Sequence, residues 1–113
     1  MKFDAAHQLP NYDGLCARPH GHTYKVKVDI EVRRLQKDYP FVIDFVDLKK
    51  VIEKYDHTNL NEFIDIPTAE NIVVEIWNDI NKKLIEHDLY HTLEIELWET
   101  ETASITYDGN PAL

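Results

Sequence analysis

The amino-acid sequence predicts an α+β protein in which an antiparallel sheet carries two helices on one face. Three observations predict this class. Two segments of alternating apolar and polar residues come first, two amphipathic segments with helical spacing follow, and two more alternating segments come last. Strands grouped apart from helices are typical of α+β folds rather than of alternating α/β folds. The predicted order is β-β-α-α-β-β, with a four-stranded sheet.

Alternation along the chain predicts the first two strands. Within residues 2–9, the residues of one face are Phe3, Ala5, His7 and Leu9. From residue 24 to residue 33 apolar and charged residues alternate, and the even positions are the apolar ones. The even positions continue backwards to His22 and His20. Both imidazoles are therefore expected to point inward, roughly 7 Å apart along the strand.

Two amphipathic helices are predicted next, capped at Asp44 and at Thr68, since both residue types favour helix N-termini. The first apolar stripe consists of Phe45, Leu48, Val51, Ile52 and Tyr55. The second consists of Ile72, Val73, Ile76, Trp77, Ile80 and Leu84. The segment "DHTNLNEFIDI" between the helices is predicted to be a loop. Two further strands are predicted over residues 93–99 and 103–107.

Length and composition limit the classes of protein that the chain can belong to. Its 113 residues predict one domain over 1–113, and 43% hydrophobic with 29% charged residues is typical of a soluble globular protein. There is no apolar run near 18 residues and no signal-like start, so we expect a cytoplasmic protein. Acidic residues outnumber basic ones by 21 to 12, which disfavours nucleic acid and anionic membranes as partners.

Three histidines, His7, His20 and His22, share the inward face of the first two strands. A single inward histidine is usually a hydrogen-bonded core residue, but three buried imidazoles without an ion would leave several polar nitrogens unpaired. A zinc ion bound by three imidazoles satisfies one nitrogen of each ring and keeps a fourth position open for water or substrate. The sequence therefore predicts a zinc site.

Cys16, the only cysteine, cannot form an internal disulfide, in agreement with a reducing compartment. It is a candidate fourth ligand, which would close the zinc site and argue against catalysis. The alternative is a thiol beside an open three-histidine site, where the cation would favour the thiolate as a base or nucleophile. The loop containing Pro19 and the small size of the chain favour the second alternative.

Four further polar residues are candidates for a site. Asp56 and His57 follow the first helix, either as a polar helix end or as a histidine that a carboxylate orients for proton transfer. Glu99 continues an inward apolar row, so it is expected to face a cationic partner or one with several donors, which a ligand can supply. Glu70 lies in the first turn of the second helix, where the helix dipole favours a carboxylate.

With these residues assembled, the chain resembles the family of 6-pyruvoyltetrahydropterin and 6-carboxytetrahydropterin synthases over nearly its whole length. The segments that carry the resemblance, in the order of the family, are "FDAAHQL", "CARPHGHTYKVKV", "VIDFVDLKK", "DHTNLN", "PTAENIVVEIW" and "ETETASITY". The resemblance implies a tunnelling fold, whose sheets assemble into a trimeric barrel, and two trimers that stack into a hexamer. It also implies active sites shared between subunits.

The same resemblance implies a role for each candidate residue. The implied zinc ligands are His7, His20 and His22. The implied catalytic residues are Cys16, which abstracts a proton, Asp56 and His57. The residues implied to anchor the pterin ring of 7,8-dihydroneopterin triphosphate are Glu99 and Glu70. The basic residues available for its triphosphate are Arg18, Lys25 and Lys27.

The spacing between Cys16 and the "HGH" segment, three intervening residues, resembles the bacterial and archaeal 6-carboxytetrahydropterin synthases more than the animal pyruvoyl synthases. This predicts a lyase that forms 6-carboxy-5,6,7,8-tetrahydropterin, acetaldehyde and triphosphate for 7-deazaguanine (queuosine or archaeosine) biosynthesis. The alternatives are a 6-pyruvoyl-tetrahydropterin synthase, which eliminates triphosphate, a relative acting on dihydroneopterin without triphosphate loss, and a pterin- or zinc-binding module without turnover.

Overall fold

The computed structural model describes residues 1–10, 12–33, 40–86 and 91–110. In chain order, its elements are β1 (Lys2–His7), a 3₁₀ turn (Leu15–Ala17), β2 (His20–Val32), α1 (Phe45–Glu53), β3 (Thr58–Asn59), a second 3₁₀ turn (Leu60–Glu62), α2 (Ala69–Ile85), β4 (His91–Trp98) and β5 (Ser104–Tyr107). The four predicted strands and both predicted helices are present. The second strand begins at His20, as the backward extension of its alternation predicted.

The strands form one sheet in the order β3-β1-β2-β4-β5. The pairs β1–β2, β2–β4 and β4–β5 are antiparallel, whereas β3 pairs with β1 in parallel. The prediction of four antiparallel strands is therefore corrected to five strands in a mixed sheet. The added strand comes from the segment predicted to be a loop, where two residues are too few to show any alternation.

Both helices begin where the sequence predicts. The side chain of Asp44 accepts a hydrogen bond from the Val46 amide, and that of Thr68 accepts one from the Asn71 amide. The helices pack against each other, α1 also contacts β1, and α2 packs on β4 and β5. The buried side chains of the strands lie on one face of the sheet, and the other face is mostly charged. Within the described ranges, no helix is long and apolar enough to cross a membrane.

Trp77 ties α2 to the last part of the sheet. Its indole N–H donates to the carbonyl of Leu93, and its ring meets that of Tyr107 edge to face, with the centroids 5.6 Å apart. Gly109 follows β5 with φ at +88°, and a Cβ atom placed there would lie 2.3 Å from Cζ2 of Trp77. The position therefore favours glycine both for its backbone conformation and for its space.

Candidate active site

Three histidine side chains converge where β1 ends and β2 begins. His7, the last residue of β1, lies opposite His20, the first residue of β2, and His22 lies opposite Ala5. One ring nitrogen from each histidine lies within 4.8 Å of the other two. His7 is buried, and the other two histidines are partly buried. The structure therefore brings together the three residues that the sequence placed on one face.

Hydrogen bonds to backbone carbonyls determine which ring nitrogen carries the proton in two of these histidines. Nδ1 of His7 lies 2.7 Å from the carbonyl oxygen of Pro67, and Nδ1 of His20 lies 2.8 Å from that of Arg18. A carbonyl oxygen can only accept, so each Nδ1 is the protonated nitrogen and donates. In the neutral form of either ring, Nε2 is therefore the nitrogen with the lone pair, as a metal-binding histidine requires.

The Nε2 atoms of these two rings lie 2.8 Å apart, a distance at which the two nitrogens share a proton or bind one cation together. Nε2 of His22 is buried, and no hydrogen-bond partner for it lies among the residues that the structure describes. Its closest charged neighbour is Oε1 of Glu99 at 3.4 Å, which is an ion-pair distance without hydrogen-bond geometry. The three ring nitrogens thus lie within 4.8 Å of one another. Three convergent imidazole nitrogens form a donor set that fits a metal ion such as zinc.

Local electrostatics favour the neutral form of the His22 ring. Burial lowers its pKa most, the nearby carboxylate of Glu99 opposes that effect, and His7 and His20 lower the pKa further. A neutral imidazole is the form that binds a metal ion.

Glu99 follows β4, and its side chain is 29% exposed rather than buried. Its amide donates to the carbonyl of Ala103 at 3.1 Å. The neighbouring strand β2 places the His22 ring beside this carboxylate, with Nε2 3.4 Å from Oε1. The carboxylate therefore lies beside the histidine cluster and is still open to a ligand.

Tyr24 is a site residue that the sequence argument counted only as apolar core. Its side chain is fully buried, and its ring centroid lies 5.6 Å from that of His22. Among the residues with described side chains, none hydrogen-bonds its hydroxyl. Burial raises the pKa of this hydroxyl, and Glu99 raises it further, so the group stays neutral. Tyr24 occupies an even position of β2, as His20 and His22 do, and this shared face was the signal that could have placed it in the site.

Asp56 and His57 form a hydrogen-bonded pair beside β1. Oδ2 of Asp56 lies 2.9 Å from Nδ1 of His57, and Oδ1 of Asp56 accepts from the Asp4 amide at 2.9 Å. The His57 amide in turn donates to the Asp4 carbonyl at 2.6 Å. His57 has φ at +58°, a conformation that costs a residue with a side chain roughly 1–3 kcal/mol unless its surroundings hold it. The hydrogen bonds of Asp56 and His57 to Asp4 keep His57 in this conformation.

This pair and the histidine cluster are separate groups within the chain. The carboxylate of Asp4 lies within 4.8 Å of the ligand atoms of Asp56 and His57. Asp4 is exposed, at a position of opposite parity to buried His7, so its side chain lies on the other face of β1. The imidazole of His57 is 80% exposed. One chain alone therefore does not bring the pair to the three histidines.

The two remaining predicted site residues are Cys16 and Glu70. Cys16 lies in the first 3₁₀ turn, and its side chain lies outside the described part of the structure. Glu70 is exposed in the first turn of α2, where the helix dipole favours it. Pro67, which holds His7 through its carbonyl, precedes the cap of the same helix. The N-terminal end of α2 thus belongs to the surroundings of the cluster.

Two of the three basic residues considered for the triphosphate face away from the histidines. Lys25 and Lys27 occupy odd positions of β2, and His22 an even one, so their side chains lie on opposite faces of the sheet. The ammonium of Lys25 lies 4.9 Å from the ring centroid of Trp98, and that of Lys27 pairs with Asp29 at 3.6 Å. Neither lysine reaches the cluster of its own chain.

Comparisons with known proteins agree with this geometry. The family model described as 6-pyruvoyl tetrahydropterin synthase matches residues 1–110. A 6-carboxy-5,6,7,8-tetrahydropterin synthase of Haemophilus influenzae is 33% identical over an alignment of 137 positions, gaps included, which covers 95% of this chain and 94% of that protein. A dihydroneopterin monophosphate aldolase of Pyrococcus furiosus is 41% identical over 88 residues, covering 73% of this chain and 71% of the relative.

The fold also matches a solved structure. The 6-pyruvoyl tetrahydropterin synthase of Caenorhabditis elegans superimposes with a TM-score of 0.71 at 27% sequence identity. The match covers 97% of this chain and 91% of the other. The mixed sheet with two helices is therefore the architecture of that enzyme as well.

The Asp56 pair generates a prediction about pH. The amide of Asp4 is the largest cause that lowers the pKa of Asp56 below its ordinary 3.8, and His57 contributes less. Because the folded-state pKa is lowered, the stability that this carboxylate contributes is present above the ordinary pKa and is lost as pH falls through the folded-state value. In a ¹³C NMR titration, Asp56 is expected to titrate below 3.8, and to stay below it in His57→Ala. A return to the ordinary value in that variant would show that the ion pair dominates instead.

Proposed function

Because the chain belongs to the 6-pyruvoyl tetrahydropterin synthase family, we propose that it is a zinc-dependent lyase of the 6-carboxytetrahydropterin branch. Its substrate is 7,8-dihydroneopterin triphosphate, and its products are 6-carboxy-5,6,7,8-tetrahydropterin, acetaldehyde and triphosphate. The pterin product feeds the synthesis of 7-deazaguanine bases. The Haemophilus influenzae relative of that name, which aligns with 95% of the chain, supports this branch.

The zinc dependence is supported by one observation above the others. Nε2 of His7 and Nε2 of His20 face each other at 2.8 Å while both Nδ1 atoms donate to carbonyls, and the buried Nε2 of His22 has no partner within the described ranges. A zinc ion at this point would bind these two nitrogens together and would also satisfy the third ring. When bound, zinc supplies a Lewis acid that polarises oxygen atoms of the substrate side chain.

The protein's own side chains bind the pterin and move protons. Glu99, partly exposed beside the cluster, accepts hydrogen bonds from the row of N–H groups on the pterin edge, and its charge strengthens them. Glu70 is the second proposed anchor for the ring. Cys16 removes a proton from the substrate side chain, and His57, oriented by Asp56, transfers one on the opposite side.

The site is proposed to be shared between copies of the chain. The Asp56–His57 pair lies on the other face of β1 from the histidines and is exposed, so it can serve the cluster of a neighbouring copy. The edge strands β3 and β5 leave unpaired backbone groups that a neighbour can pair. Phe45 and Val46 on α1 are 81% and 59% exposed, as in a face that another subunit covers. A homo-oligomeric ring built from trimers, with a hexamer favoured, meets these requirements.

A second candidate function is that of a dihydroneopterin monophosphate aldolase. The Pyrococcus furiosus protein of that name is 41% identical to this chain, a higher identity than that of the Haemophilus relative, although the alignment covers 73% of the chain rather than 95%. The two candidates differ in the number of phosphates on the substrate and in the product. Product analysis therefore distinguishes them.

The zinc site predicts opposite outcomes for two substitutions. His22→Ala leaves only two imidazoles to bind the ion. We expect zinc affinity to fall by more than about 100-fold, which exceeds the effect of losing a residue that only supports a ligand. Activity is expected to be lost as well. Cys16→Ala is expected to retain zinc and to lose turnover. Metal analysis of the purified variants measures both. Loss of zinc from Cys16→Ala would make Cys16 a ligand and overturn the open site.

The shared site predicts complementation between inactive variants. Cys16→Ala and His57→Ala are co-expressed with different tags and isolated as a mixed oligomer. If each site takes its thiol and its histidine from different copies, random mixing is expected to restore both groups in about a quarter of the sites. Each variant alone serves as the control. Mixed oligomers as inactive as their parents would place both groups in the same chain.

The reaction itself is tested by product analysis. The protein is incubated separately with 7,8-dihydroneopterin triphosphate and with the monophosphate, and the products are identified by mass spectrometry. We expect the 6-carboxy product, acetaldehyde and triphosphate from the first substrate. A 6-pyruvoyl product without acetaldehyde would assign the pyruvoyl branch, turnover of the monophosphate alone would assign the aldolase, and binding without turnover would assign a binding module.

A further inference from the structure

Residues 56–61 run beside β1 as a strap, and we call this segment the edge strap. At its beginning, the His57 amide donates to the carbonyl of Asp4. In its middle, Thr58 and Asn59 pair in parallel with Ala5 and Ala6. The edge strap therefore follows β1 towards His7, the last residue of that strand.

At its end, the edge strap holds the main chain just beyond His7 through one side chain. The amide group of Asn61 makes two hydrogen bonds to Gln8, accepting from its N–H at 2.9 Å and donating to its C=O at 2.9 Å. Asn61 is itself fixed, because its backbone N–H donates to the side chain of Asn59 and the preceding Leu60 is fully buried. The side chain of Asn61 thus takes the place of a neighbouring strand at Gln8.

This contact lies where the sheet no longer constrains the chain. Pairing of β1 with β2 ends at His7 and His20, and pairing with β3 ends at Ala6 and Asn59. Beyond that point, both backbone polar groups of Gln8 bond to Asn61. The ring of His7 is held separately at Nδ1 by the carbonyl of Pro67. Ring and main chain at this position are therefore fixed by two different segments.

We propose that Asn61 is a positioning residue for His7, holding the main chain at Gln8 so that Nε2 of His7 stays aligned with the other two ring nitrogens. The proposal rests on the proposed zinc site. Without the two bonds to Gln8, the end of β1 is free to fray, and the His7 ring loses the backbone support that its bond to Pro67 does not replace. The consequence is weaker zinc binding, although Asn61 itself does not touch the ion.

Asn61→Asp tests the proposal most sharply. The variant keeps the size of the side chain and the oxygen that accepts from the Gln8 N–H, but it turns the second oxygen towards the Gln8 carbonyl, where two acceptors repel. We expect zinc affinity to fall by roughly 10- to 100-fold, as for partners that support metal ligands indirectly. The measurement is a zinc titration of the metal-stripped full chain against a competing chelator, at a temperature where circular dichroism shows all variants folded.

Asn81→Ala is the matched control. It removes another partly buried asparagine contact, from Oδ1 to Nε2 of His91 at 2.7 Å, between α2 and β4 and away from β1. It is expected to lower thermal stability without changing zinc affinity, which separates positioning from a general loss of stability.

If Asn61→Asp does not fold, Asn61→Ala is titrated in its place. Amide hydrogen exchange of Gln8 in the unsubstituted protein, expected to be slow, tests the contact directly.

The possible results separate this proposal from the proposed function. If the unsubstituted protein binds zinc and the Asn61 variants bind it equally tightly, or if the Gln8 amide exchanges freely, the positioning role is wrong and the zinc enzyme stands. If the unsubstituted protein binds no zinc, both proposals fail together. Weaker binding in the Asn61 variants but not in Asn81→Ala supports the positioning role.

Discussion

The register between β1 and β2 is the constraint on which the candidate site depends. It sets His7 opposite His20 and Ala5 opposite His22, so that three imidazoles from two strands meet on one face. Because side chains alternate along a strand, a slip of one residue would turn the histidines of one strand to the charged face. The same alternation places Asp4, and with it the Asp56–His57 pair, on the opposite face. The register therefore assembles the histidine cluster, and the alternation along β1 separates the cluster from the Asp56–His57 pair.

The features that the sequence predicted well are those with a local signal. Alternation over many residues identified β2 and placed His20 and His22 on its inward face. Asp44 and Thr68 indicated where the helices begin, because a side chain that caps its own helix acts within three residues along the chain. The histidine cluster followed from these local signals, since two adjacent strands with known faces leave few ways to place three inward rings.

The remaining features depend on contacts between distant segments, for which single-sequence patterns carry no signal. The carbonyl of Pro67 fixes the tautomer of His7, yet every residue has a carbonyl and nothing in the sequence marks this one. The approach of Glu99 to His22 depends on the register of β2 with β4. The parallel pairing of β3 covers two residues.

Trp77 and Gly109 limit which substitutions each position can accept, but the two limits differ in strength. A smaller residue at 77 would remove the ring that crowds position 109, but φ at +88° would still favour glycine there. A side chain at 109, by contrast, meets the indole at once and cannot be accommodated until the residue at 77 has changed. Among descendants of this chain, substitution at 77 can therefore precede substitution at 109, whereas the reverse order passes through an intermediate that the packing of α2 against the last strand disfavours.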